Sequence, residues 1–243
     1  MLTRRDFMAS AAAGAAAGTG LFAGAVWGGE KTTTFTRPIV GTIRWDAFYG
    51  TGTVPRAVEG SLGPARYHKR APFFAKVTGK DALSINGDAP GIMAQEIAYA
   101  AQACVYWAFL TYPWNSDLTR PLRMFLDHPD REKVRFTFIL NRCLFDEKEW
   151  VKKSERMLSS YAESPTAGEL AAHVRTGMDF VYRNPKTCPT RSLMMYAWNE
   201  HDEGGWLCPT LDPTTGKPDD SRARAVGEAI RSWRPPAGSG GMP

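Results

Sequence analysis

The sequence predicts an α/β protein built on parallel strands, because strand-like and helix-like patterns alternate along the chain. Four runs have the apolar, aromatic and β-branched character of buried strands: 38–48, 105–112, 134–141 and 193–200. Three segments carry apolar residues at helical steps: 91–104, 166–183 and 221–233. Such alternation favours right-handed crossovers that place flanking helices on the faces of the sheet.

The first predicted strand carries charge on one face. Side chains alternate along a strand, so Thr42, Arg44 and Asp46 share one face, while Ile43 and Trp45 share the other. Opposite charges inside a protein are costly unless they are paired or used in chemistry. We expect Arg44 and Asp46 to form a structural ion pair in preference to acting as catalysts.

Two local sequence patterns add a β-hairpin and a helix N-cap to the predicted fold. Phe73–Val77 and Leu83–Ile85 flank a turn at 79–81, which predicts a β-hairpin inserted after the first strand. Thr166 and Glu169 have the spacing of a capping box, with Thr166 as the N-cap of the 166–183 helix.

The first 25 residues are predicted to be a twin-arginine signal peptide. Arg4 and Arg5 precede a weakly hydrophobic Ala/Gly run that ends in the small-residue cleavage site Ala23-Gly24-Ala25. Glycines interrupt the run, which disfavours a membrane span. A lipoprotein is also disfavoured, because there is no cysteine near the cleavage site. We expect a periplasmic or secreted protein without membrane contact after signal removal.

The rest of the chain of 243 residues is predicted to form one domain. Residues 26–36 have the composition of a linker, 37–234 suffice for a single core, and the Pro- and Gly-rich 235–243 are expected to be a disordered tail. The basic residues behind the net charge of +5 are scattered, so nucleic-acid binding is not expected.

Candidate chemistry is concentrated between Asn199 and Trp206. A short apolar run ends there in an amide and two glutamates, Glu200 and Glu203, and glycines follow that allow a sharp turn. Parallel α/β proteins keep their chemistry at the carboxyl ends of strands. Glycoside hydrolysis generally needs two carboxyl groups of different protonation state, about 5 to 9 Å apart. The alternative interpretation is a solvated acidic loop, since Asp and Glu are mostly exposed.

These motifs resemble the glycoside hydrolase family 99-like proteins, which are (β/α)8 TIM barrels related to endo-α-mannosidases. The stretches that carry the resemblance are Asn199-Glu200-x-x-Glu203-Gly204, 44–50 with its Tyr49-Gly50 end, 95–100, 106–109 and 166–170. The Asn-Glu-x-x-Glu-Gly element is moderately specific and the others are supporting. The resemblance covers about residues 38–212.

The resemblance implies retaining cleavage of a glycan, without a cofactor, through a pair of glutamates. Matched onto this chain, Glu200 is the base towards the sugar 2-hydroxyl and Glu203 is the acid/base. The predicted substrate-binding residues are Arg44, Asp46, Tyr49, Trp114, Asn199 and Trp206. The aromatic side chains would offer flat apolar faces to an oligosaccharide or polysaccharide.

The chain departs from that family in two respects. His201 stands where the characterised enzymes commonly have a tryptophan. A complete barrel takes about 250 residues, and only four strands are predicted here, so we expect an incomplete (β/α)8-barrel-like fold. An open sheet edge leaves three alternatives, namely a truncated relative, a homodimer that covers the edge, and a decayed copy.

Other functional classes are less favoured. A carbohydrate-binding protein without turnover is the main alternative, although the presence of both glutamates argues against it. A metal-dependent hydrolase using His173, His201, Asp202 and Glu203 is disfavoured, because consecutive residues rarely converge on one ion. The cysteines have no zinc-binding spacing and predict no particular disulfide: Cys104, Cys143, Cys188 and Cys208. We expect no metal and, in the absence of phosphate or dinucleotide motifs, no cofactor.

Overall fold

The computed structural model describes residues 37–110, 116–139 and 164–236. Its elements follow one another along the chain as β1 (Ile39–Arg44), α1 (Thr53–Leu62), a 3₁₀ helix (Ala65–Arg70), β2 (Lys76–Gly79), β3 (Ala82–Ser84), α2 (Ile92–Ala103), β4 (Tyr106–Leu110), α3 (Ser116–Leu126), a 3₁₀ helix (Arg131–Lys133), β5 (Phe136–Ile139), α4 (Ala167–Arg183), β6 (Ser192–Met195), β7 (Asn199–Glu200), β8 (Gly205–Trp206), β9 (Thr210–Leu211), β10 (Pro218–Asp219) and α5 (Ser221–Ser232). The predicted signal peptide, linker and most of the tail lie outside the described residues.

A four-stranded parallel sheet organises the described residues, in the order β5-β4-β1-β6. Gly41 of β1 lies opposite Tyr106 of β4 on one side and Met194 of β6 on the other. A Cβ at Gly41 would lie 2.3 Å from the Tyr106 ring, so the close packing there requires glycine. The structure thus confirms a mixed α/β fold with a parallel sheet and flanking helices.

The predicted helices and hairpin are confirmed with small changes at their ends. β2 and β3 pair antiparallel as the inserted hairpin. The capping box of α4 is present, because the Thr166 hydroxyl accepts from the Glu169 amide at 3.2 Å and the Glu169 carboxylate accepts from the Thr166 amide at 2.8 Å.

Two helices were not predicted from the sequence, α1 and α3. α1 contains Pro55 and Gly60, and α3 contains Pro121, and these residues weaken the local helical signal. Both helices are stabilised by packing rather than by intrinsic helix propensity, since Val58 and Leu62 of α1 and Phe125 of α3 are almost fully buried.

The predicted strand at 193–200 is wrong in its extent. β6 ends at Met195, and Asn199–Glu200 pairs antiparallel with Gly205–Trp206 instead of continuing the sheet. The Trp198 amide donates to the Ile43 carbonyl at 2.6 Å, so the chain stays beside β1 after the regular parallel pairing has ended. The first strand is also shorter than predicted and ends at Arg44, because the Ala47 amide turns back to the Trp45 carbonyl.

The expectation that the third strand is buried is wrong among the described residues. On β5, Phe136 is 40 % exposed and Phe138 is 48 % exposed, and β5 lies at the edge of the sheet. Its predicted end at Asn141 lies outside the described ranges. Among the residues that the structure describes, no helix has both the length and the apolar character needed to cross a bilayer.

Helices α2 and α5 approach each other so closely that Gly227→Ala is expected to destabilise the protein by about 1–3 kcal/mol. A Cβ at Gly227 would lie 2.2 Å from the Gln102 carbonyl oxygen, and a backbone atom there cannot rotate aside. Gly60→Ala is the matched control, because its Cβ meets nothing within 4 Å and should stabilise α1 by up to about 1 kcal/mol. Urea unfolding of both variants checks this, and equal shifts in the two would contradict it.

Candidate active site

The predicted site residues come from two neighbouring segments at the carboxyl edge of the sheet. β1 ends in Arg44, and the chain that follows β6 returns to the same place through Trp198 and Asn199. The Trp45 amide donates to the Asn199 side-chain oxygen at 2.9 Å, which ties the two segments together. Strands β4 and β5 end at the same edge, but the residues that follow them, including the predicted Trp114, lie outside the described ranges.

Glu96 of α2 is the centre of a buried polar network at this edge. Its Oε2 accepts from Arg44 Nη2 at 2.9 Å and from the Tyr49 hydroxyl at 2.5 Å. Its Oε1 accepts from Trp198 Nε1 at 3.0 Å, and the Cys208 thiol lies 3.9 Å away. Arg44, Tyr49, Glu96 and Trp198 are each no more than 1 % exposed, so these groups depend on one another for hydrogen bonds.

Arg44 is the cation of this network and forms the ion pair expected with Asp46. Arg44 Nε donates to Asp46 Oδ1 at 2.7 Å, and the guanidinium lies 4.3 Å from the centre of the Trp107 ring. Burial raises the pKa of Asp46 to about 6, and the charge of Arg44 offsets part of that rise. The two side chains therefore form a buried structural ion pair. Despite this pairing, the pKa of Asp46 stays at about 6, above its usual value.

Glu200 is buried beside other carboxyl groups. Its side chain is 4 % exposed, and Oε2 has no hydrogen-bond partner among the described residues. Burial raises the pKa of Glu200 to about 9, and the nearby charges of Glu203, Asp202 and Asp46 add to the rise. Glu200 is therefore protonated at neutral pH.

Glu203 lies in contrasting surroundings. The residue is exposed, and its carboxylate accepts a short hydrogen bond from the Tyr196 hydroxyl. Because burial and this bond raise the pKa of Tyr196, the phenol remains a donor. Two neighbouring carboxyl groups thus differ in solvation and in their hydrogen-bond partners.

Trp206 has one face of its ring covered by a cation. The Arg222 guanidinium lies 4.0 Å from the ring centre, and the His201 ring lies nearly parallel to the indole at 5.9 Å. His201 is fully buried, its Nδ1 lies 2.6 Å from the Arg70 carbonyl oxygen, and burial lowers its pKa to about 3. His201 is therefore a neutral core residue, and Arg222 would have to move before a sugar could stack on that face of Trp206.

The structure brings most of the predicted substrate-binding residues together, although they are buried. Four of them are at most 3 % exposed: Arg44, Asp46, Tyr49 and Asn199. The Tyr49 ring in particular presents no open face, since the residue is only 1 % exposed. In this arrangement the four side chains support the edge of the site, and only Trp206 among the described residues of the set is partly exposed.

Sequence reasoning missed Glu96 and Trp198 as members of the site. A signal for Glu96 was present, because it falls within the apolar stripe of α2 formed by Ile92, Met93, Ile97 and Ala100. A carboxylate on that stripe must be buried, and a buried carboxylate needs a cation or donors.

Neither the arrangement of possible metal ligands nor comparison with known proteins assigns a function to this site. Within 37–110, 116–139 and 164–236, no three His, Cys, Asp or Glu side chains are arranged to hold a metal ion. A surface depression of about 480 Å³ is lined by Arg175, Glu228, Arg231 and Ser232, none of which belongs to the predicted site. No protein-family model matches the chain, and neither a curated protein nor a solved structure shows significant similarity to it.

Proposed function

We propose that this chain is an exported glycoside hydrolase-like protein that cleaves an O-glycosidic bond in an envelope or extracellular glycan through Glu200 and Glu203. One observation carries the proposal, namely the pair of neighbouring carboxyl groups at the carboxyl edge of a parallel sheet. Glu200 is buried and protonated, whereas Glu203 is exposed and accepts a bond from Tyr196. Glycosidases use such a difference to supply a proton at one carboxyl group and negative charge at the other.

The strand order supports an incomplete (β/α)8-barrel-like fold. β1 pairs in parallel with the next parallel strand of the chain, β4, and on its other side with the last parallel strand, β6. In a closed barrel of parallel strands, the first strand likewise lies beside both the second and the last. Residues 140–163 lie outside the described ranges, between β5 and α4, and the proposal attributes no strand to them.

A homodimer is part of the proposal, because both outer strands of the sheet expose apolar side chains. Phe138 of β5 is 48 % exposed and Met194 of β6 is 40 % exposed. Exposed apolar edge strands are sites of pairing with another chain. The mass of the mature protein in light scattering tests this, with twice the chain mass as the expected result.

The protonated state of Glu200 suits a proton donor, which is the role that the family resemblance implies for Glu203. Aryl glycosides with activated leaving groups separate the two roles, because they need no protonation on departure. Substitution of the donor by glutamine should spare their cleavage, whereas substitution of the other glutamate should not. We expect Glu200→Gln to retain cleavage of such substrates and Glu203→Gln to lose it.

The test of the function itself is incubation of residues 26–243 with mannose- and glucose-containing oligosaccharides. Mass spectrometry of the products detects cleavage, and a rise in unfolding temperature detects binding. Products that disappear in both Glu200→Gln and Glu203→Gln support the proposal. Binding without products favours the alternative, a non-catalytic carbohydrate-binding or decayed family member, and the absence of both overturns the proposal.

A further inference from the structure

We propose that Glu96 is a positioning residue of the candidate site, whose carboxylate holds Trp198 and Arg44 and thereby fixes the Asn199–Glu200 strand against the end of β1. The inference rests on the proposed function and concerns the same site. Glu96 does not touch the solvent, being 1 % exposed on the buried face of α2. Its influence on a substrate must therefore pass through the side chains that it binds.

One carboxylate oxygen acts on the segment that carries Glu200. Oε1 of Glu96 accepts from the Trp198 indole at 3.0 Å, two residues before Glu200. The Trp198 backbone is held as well, since its amide donates to Ile43 and its carbonyl accepts from Leu207 and Cys208. Trp198 is thus fixed at its backbone and at its side chain, which leaves the next two residues little freedom.

The other oxygen acts on the end of β1. Oε2 of Glu96 accepts from Arg44 Nη2, and Arg44 Nε in turn holds Asp46. The Tyr49 hydroxyl donates to the same oxygen and also accepts from Arg44 Nη2 at 3.0 Å. One carboxylate therefore joins the two segments whose contact places Asp46 and Glu200 at the same edge.

Stability alone gives no reason for a carboxylate at this position. Replacing a buried ion pair and its partners by apolar residues of similar size is often neutral or stabilising. The geometry of the bonds does give a reason, because two oxygens can align an indole, a phenol and a guanidinium at once. Displacing a reacting group by about 1 Å costs about 100-fold in rate, so such alignment matters for turnover.

The decisive variant is Glu96→Gln, which keeps the size of the side chain but replaces one acceptor by an amide that cannot accept. We expect kcat on the cleaved glycan to fall about 100-fold, with KM within about twofold of the wild type. Trp198→Phe removes the indole donor and should lower kcat in the same way. The two substitutions together should be no worse than the more severe of them, because both break the same link.

Gln95→Ala is the matched control, since Gln95 is the exposed neighbour of Glu96 on α2 and should leave kcat unchanged. A second readout does not need turnover, namely the carbon-13 titration of the Glu200 carboxyl group by nuclear magnetic resonance. The Glu200 midpoint should move in Glu96→Gln and stay in Gln95→Ala. If the wild type cleaves no glycan, the proposed function fails, and this titration still decides the role of Glu96.

A folded Glu96→Gln protein with wild-type kcat, or with an unmoved Glu200 titration where there is no turnover, overturns the proposal. If Glu96→Gln does not fold, Trp198→Phe decides alone on the same two readouts. Additive losses in the double variant would also overturn it, because they would show that the two residues act independently.

Discussion

Glu200→Gln is expected to stabilise the folded protein by about 3 kcal/mol at pH 7 and to abolish turnover of natural glycans. The pKa of Glu200 is raised from 4.5 to about 9 in the folded state, so folding favours the protonated form. The stability that this group contributes is complete below pH 4.5 and is lost as the pH rises towards 9. Glutamine mimics the protonated form and carries no such loss.

Denaturant unfolding at pH 5 and at pH 8 tests this prediction. The advantage of Glu200→Gln over the wild type should be small at pH 5 and should grow by about 1.4 kcal/mol for each pH unit above that. Glu132→Gln is the control: the Glu132 side chain is 87 % exposed and lies outside the site, so stability should change by less than about 0.5 kcal/mol at either pH. A Glu200→Gln protein with the same advantage at both pH values would refute the burial of an ionisable group there.

Arg44→Met is expected to destabilise the protein by about 3–5 kcal/mol at neutral pH. Arg44 is the cation bound to both Asp46 and Glu96, at 2.7 Å and 2.9 Å, and all three side chains are buried. Methionine fills most of the volume but leaves two carboxyl groups without their counter-charge. The loss should be smaller at pH 5 than at pH 8, because Asp46, with its pKa already raised to about 6, can then take up a proton.

Thermal and denaturant unfolding measure this effect, with Arg120→Met as the matched control. Arg120 also forms an ion pair, with Asp88, but its side chain is 55 % exposed. Exposed ion pairs contribute at most about 1 kcal/mol, so the control should lose little. Similar losses in the two variants would mean that burial of the Arg44 network has no energetic consequence.

Features with local causes were predicted best. The capping box of α4 and the hairpin of β2 and β3 depend on residues a few positions apart, and both were located correctly. After β6 ends, the Trp198 amide meets Ile43, more than 150 residues away along the chain, and a contact so distant in sequence cannot be predicted from a local pattern. α3 was missed for a related reason, because the burial of Phe125 outweighs Pro121 only after the helix packs.

The candidate site also combines features that local sequence predicts with features that depend on tertiary packing. Its motif identified Glu200 and Glu203 as neighbours, since sequence proximity guarantees that much. Their opposite environments arise from tertiary packing, which buries one and exposes the other. The polar alternation along the first strand was enough to expect the pairing of Arg44 with Asp46. Glu96 belongs to a different segment, and only the packing of α2 on β1 brings it to them.

The pairing of β1 with β6 sets the order in which this protein can be completed. β1 begins at Ile39 and finds one of its two partners only at Ser192, so one side of the central strand has no neighbour until most of the chain has left the ribosome. Contacts between residues so distant in sequence form slowly, because a long loop must close first. A nascent chain that stops before residue 192 would therefore contain Arg44, Asp46 and Glu96 without the segment that covers them, and three buried charges would face water instead of one another.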